Sequence, residues 1–160
     1  MKKAFTMVEL IFVIVIIGIL ASVAIPKIAA SRDDAKISVL AAQAKIAFSD
    51  IHTSVLARGV KGLSSETIDE VTDVLFQDPC GTPIAFGSPL VGSNMRLCDG
   101  KVECIRFIVG PGAKSLDITA KGVSQSSVCR VLQNLKPIQA MAGSMANRAA
   151  SHRLGGAGIY

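Results

Sequence analysis

Residues 5–26 read Phe5-Thr6-Met7-Val8-Glu9-Leu10-Ile11-Phe12-Val13-Ile14-Val15-Ile16-Ile17-Gly18-Ile19-Leu20-Ala21-Ser22-Val23-Ala24-Ile25-Pro26. From Leu10 to Ile25 the run is 16 residues long, interrupted only by Gly18 and Ser22. Counted from Phe5, the helix-compatible stretch is 21 residues. At the α-helical rise that is roughly 30 Å, enough to cross a bilayer core. Lys2 and Lys3 precede it, so the positive-inside bias places the N-terminus in the cytoplasm and the remainder outside. Glu9 is out of place at the edge of the apolar run. A carboxylate set deep in lipid costs on the order of 2–3 kcal/mol. Glu9 is either a first-turn acid that complements the helix dipole or an intramembrane acid with a partner.

The order Lys2-Lys3-Ala4, then Phe5-Thr6-Met7-Val8-Glu9-Leu10, then the apolar helix and Pro26 resembles the cleavage and methylation segment of the type IV pilin and type II secretion pseudopilin superfamily. The resemblance covers about residues 1–35. Ala4 stands where the family's leader usually ends in Gly, which implies slower processing at most. The resemblance implies that prepilin peptidase cuts between Ala4 and Phe5 and that the freed Phe5 amine is N-methylated. It also implies that Glu9 pairs with a Phe5 amine, of its own or a neighbouring subunit, during assembly. Pairing cancels two charges that would otherwise be buried alone, so a subunit out of register is penalised. The rival reading is an ordinary secretory signal, with Lys2-Lys3 as its basic end and Leu10–Leu20 as its apolar core. Cleavage after Ser22-Val23-Ala24 would then release a soluble domain starting near Ile25. Glu9 has no purpose in that reading. An uncleaved signal anchor is a further alternative.

After Pro26 the pattern becomes amphipathic. Ile37, Leu40, Ala44, Phe48, Ile51 and Val55 form one stripe at helical spacing. Gly59 and Gly62 are stop signals. One helix is therefore predicted from Phe5 to Arg58, about 80 Å long, with Pro26 kinking or loosening it. A second helix is predicted from Ser64 or Ser65 to Leu75 or Phe76, with Glu66, Asp69 and Glu70 at its positive end. Its acidic face is either solvated or meets the basic tail of a neighbour. Strand signals fall at Pro83–Phe86, Val102–Val109 and Ser115–Ala120, separated by turns at Asp99-Gly100 and Gly110-Pro111-Gly112. Val128–Leu135 reads as a short closing helix. The turn Asp78-Pro79-Cys80-Gly81-Thr82-Pro83 is similar in part to a turn of major pseudopilins. The acidic calcium loop that follows there is not recognisable here, so no calcium is expected.

The chain has 160 residues, half of them apolar, and a net charge of +5 that is unevenly placed. Residues 5–100 hold seven basic and ten acidic side chains; residues 101–160 hold eight basic and two acidic. Cys80, Cys98, Cys104 and Cys129 have neither zinc-knuckle nor Cys-x-x-Cys spacing. An even count downstream of a membrane segment points to two disulfides in an oxidising compartment. Of three connectivities, Cys80–Cys98 with Cys104–Cys129 is preferred. If Asp99-Gly100 makes a two-residue hairpin, Cys98 and Cys104 lie on opposite faces. His52 and His152 stand alone, Asp33-Asp34 reads as a solvated stretch, and no nucleophile or phosphate-loop motif occurs. Arg130, Lys136, Arg148 and Arg153 lack interleaved aromatics; they leave a DNA-capturing competence pilin as an alternative.

The expectation is an α+β, pilin-like chain. A long N-terminal helix, half transmembrane and half amphipathic, packs on a small antiparallel sheet. Residues 1–4 are leader, 5–26 the membrane or filament-core helix, 27–59 its amphipathic half, 60–138 the head and 139–160 a flexible tail. The chain is expected to be a structural subunit without cofactor or catalytic residues, single-pass in the inner membrane with a periplasmic head. The implied partners are prepilin peptidase, an assembly platform, membrane lipid and other pilins in a filament for secretion, adhesion, motility or DNA uptake.

Overall fold

The structure is a computed structural model and describes residues 6–120, 126–142 and 149–154. Helix α1 spans Met7–Leu63. The chain divides into two compact units, one ending at Ala35 and one starting at Lys36. In the first unit α1 is apolar on every side from Leu10 to Ile25. Its large hydrophobic side chains from Met7 to Ile28 are 41–78% exposed. Pro26 sits inside the helix, and the backbone keeps helical dihedrals through it. The non-helical pair falls at Gly59 (φ 70°, ψ 168°), a left-handed conformation that favours glycine. A last turn to Leu63 follows, past the predicted end at Arg58, because Leu63 is fully buried.

The second unit is built on the rest of α1. Ile37, Leu40, Ala44, Ala47, Ile51 and Val55 are buried. The buried stripe therefore runs through Ala47, and Phe48 packs at its edge, half-buried. The sheet has strands β1 (Met95–Asp99), β2 (Val102–Val109), β3 (Ser115–Ala120) and β4 (Ala149–Arg153) in that order, all antiparallel. Met95, Leu97, Ile105, Phe107, Leu116 and Ile118 pair across the ladder and are buried in one core with the α1 stripe. Helices α3 (Ser127–Asn134) and α4 (Lys136–Ala142) add Val128, Cys129, Leu132 and Ile138 to that core.

The head departs from the sequence reading at several places, among them strand β1 at Met95–Asp99, which is not one of the expected strands. Helix α2 covers only Ile68–Val71. Beyond it, Thr72, Val74 and Phe76 are buried while Asp73 and Leu75 are exposed, a period of two that belongs to extended chain. Pro83–Phe86 is not a strand of the sheet. It makes a single bridge, Pro83 to Gln77, and the Ile84 N–H donates to Phe76 O at 3.0 Å; Pro83 itself has no N–H to give. Within the predicted tail, the described residues form the end of α4 and strand β4. Ala150 and His152 pair opposite Ile118 and Leu116, so β3 gains a partner and Leu154 is buried.

Candidate functional site

Ala4 and Phe5, the expected cleavage and methylation positions, lie outside the described residues. Glu9 stands in the first turn of α1. Its carboxylate accepts from the Thr6 backbone N–H at 2.9 Å and from the Thr6 hydroxyl at 2.7 Å. The Glu9 N–H donates back to the Thr6 hydroxyl oxygen at 3.3 Å. This reciprocal pattern satisfies donors that a helix start leaves open. The span that follows reaches a mean hydropathy of 3.0 over 18 residues, long and apolar enough to cross a membrane.

In the head, Cys80 is bonded to Cys98 and Cys104 to Cys129. The first bond ties the 77–83 turn to β1; the second ties β2 to α3. The β1–β2 hairpin turns through Gly100-Lys101, since Asp99 pairs with Val102. Its register then slips at Leu97/Cys98: Cys98 pairs with Glu103 and Leu97 with Ile105. Cys104 is the extra residue of that bulge, and both Cys104 and Ile105 are buried.

Charges hold the same hairpin. The Asp99 carboxylate accepts from Lys36 Nζ at 3.0 Å and from the Ser126 hydroxyl at 2.7 Å. The Ser126 hydroxyl oxygen in turn accepts the Cys129 N–H at the start of α3. The Ser126 hydrogen bond, with Lys36 behind it, holds the Asp99 carboxyl below its ordinary pKa. On the sheet face away from the core, Arg96 contacts Asp78 and Glu103, and Arg106 meets Glu103 at 2.7 Å. The sheet face is thus joined through Arg96 and Asp78 to the turn that carries Cys80, and α1 through Lys36 and Asp99 to the β1–β2 hairpin.

The structure brings together two histidines that are 100 residues apart in sequence. The rings of His52 and His152 lie 6.1 Å apart, each against Phe48 at 4.2 and 5.1 Å. The His52 Nδ1–H donates to Phe48 O and the His152 Nε2–H to Met141 O, since a carbonyl can only accept. No group of three or more metal-ligating side chains occurs among the described residues. Arg130 and Lys136 are exposed on α3 and α4, and Arg153 on β4; Arg148 lies outside the described residues. Sequence reasoning missed the His pair and the Lys36–Asp99–Ser126 link. Both join positions far apart in sequence, with no local pattern to mark them.

Residues 1–25 match the family model described as the prokaryotic N-terminal methylation motif, the prepilin-type signal of type IV pilins and pseudopilins. No curated protein and no solved structure matches the chain.

Proposed function

We propose that this chain, which opens on a prepilin-type signal, is a structural subunit of a type IV pilus or a type II secretion pseudopilus. Prepilin peptidase cuts between Ala4 and Phe5 in the cytoplasm. The Phe5 amine is methylated, and the apolar half of α1 holds the subunit in the inner membrane until assembly. In the filament Glu9 pairs with a Phe5 amine and sets the register, because an unpaired charge in a packed apolar helix core is penalised. Two disulfides in the head support an oxidising compartment outside the cytoplasm. The observation that carries this reading is the methylation motif leading into a helix whose apolar side chains are exposed on every side. Such a surface requires lipid or other copies of itself.

Mass spectrometry of the native protein tests it. The expected product starts at Phe5 and carries one methyl group on its amine. A product starting near Ile25 would show a secreted soluble domain instead. A product retaining Met1-Lys2-Lys3-Ala4 would sink both.

A further inference from the structure

One cavity lies in the part of the head that the membrane segment and the disulfides leave unused. It encloses about 280 Å³ between α2, the extended stretch after it and the return stretch 83–86. Leu75 and Phe86 line it, with side chains 76% and 89% exposed. Asp69 and Asp73 stand among the same lining residues. The Gly87 N–H donates to the Asp69 carboxylate at 2.8 Å and favours its ionised form. Residues 64–78 carry five carboxylates and no basic side chain. An open apolar cavity edged by carboxylates suits an apolar side chain that arrives beside a cation.

The chain itself displays such a ligand. On α3, Val131 is 48% exposed next to exposed Arg130. Residues 126–142 hold Arg130 and Lys136 and no acid. Other exposed apolar residues near a cation among the described residues fit less well. Ile28, beside Lys27, lies in the first unit and not in the head. Val39 is one turn from Lys36, which is already paired with Asp99. Leu56 is near Arg58, which is already paired with Glu66. Ile46 is beside Lys45, but Asp50 stands one turn away on the same helix.

We propose that the cavity of one copy receives Val131 of a second copy, with Arg130 against Asp69 and Asp73. This deepens the filament reading and rests on it. The two surfaces are unlike, so the contact is heterologous: each copy offers a cavity to one neighbour and α3 to the next, and the contact propagates. Exposed ion pairs contribute little affinity. Association comes through α1, and the cavity contact fixes how successive heads are turned.

The test places the photo-cross-linker p-benzoylphenylalanine at Leu75 of the full-length chain in its native membrane. The expected result is an adduct between two copies whose cross-linked peptide contains Arg130 and Val131. Asp73→Arg and Arg130→Asp should each lower its yield about threefold or more, and the two together should restore it. An adduct to the Ile46 region of a second copy, to another protein, or none at all overturns the proposal. The same cross-linker at Ile14 reports association through α1. Adducts there without adducts at Leu75 remove this contact and leave the filament reading standing; adducts at neither position remove both.

Discussion

Glu9 has two sets of bonds open to it. Within one chain its carboxylate closes a reciprocal pair with Thr6 at the helix start. In the proposed filament it also faces an amine, and breaking a buried ion pair costs on the order of 3–5 kcal/mol. The two contributions separate by substitution. Glu9→Ala should insert and be cleaved normally yet give almost no filaments by electron microscopy. Thr6→Val, which removes the hydroxyl but keeps the carboxylate, should still assemble. Normal filaments from Glu9→Ala would refute the pairing. Asp99 is the other carboxylate with a defined task. Its folded pKa lies below the unfolded value because Ser126 and Lys36 favour the ionised form. Its contribution to stability is therefore full at neutral pH and is lost as pH falls through the folded pKa. Asp99→Asn should lower stability at pH 7 by on the order of 1 kcal/mol. The gap from the wild type should close below about pH 4 in thermal melts.

At the level of elements, the two disulfides span 18 and 25 residues of sequence. Each should contribute roughly 3 kcal/mol by limiting the unfolded chain. Replacing both Cys104 and Cys129 by Ser should lower the melting temperature of the head by several degrees while the far-ultraviolet spectrum of α1 persists; an unchanged melting temperature would count against that role. The elements differ in how plainly the sequence announces them. Strands β2 and β3 are visible because Val102–Val109 and Ser115–Ala120 are rich in β-formers and bounded by Gly and Pro. The stripe on α1 is visible because its period is helical and no Pro or Gly interrupts residues 27–58. Strand β1 holds Arg96, Cys98 and Asp99 in five residues, and β4 is Ala-Ala-Ser-His-Arg. Neither carries β-propensity of its own; both are strands because the ladder beside them has an open edge. Helix α2 is short because the acids that mark its start lead into Thr72-Asp73-Val74-Leu75-Phe76, where alternation prevails over helical spacing. Of the candidate site, the motif at residues 1–25 is local and fully legible. The Phe48–His52–His152 contact and the Leu75–Phe86 cavity depend on tertiary proximity and are not.

For the whole molecule, the decisive contrast is between the two units. One has no buried side chain among its described residues, and the other buries a continuous core from Ile37 to Leu154. A single helix serves both, as the exposed apolar rod of the first and the central support of the second. The chain leaves that helix only after Gly59 and Leu63, and both cross-links lie further along, between Cys80 and Cys129. A tensile load applied through α1 therefore reaches the head at its first turn. Once the stripe has been peeled away, the head can pay out its chain freely only as far as Cys80. The loops closed at Cys98 and Cys129 withhold their residues from the extensible length, roughly 3.5 Å for each one. An oxidised head is thus a short tether that stops early under strain, and a reduced one is a long tether that keeps running.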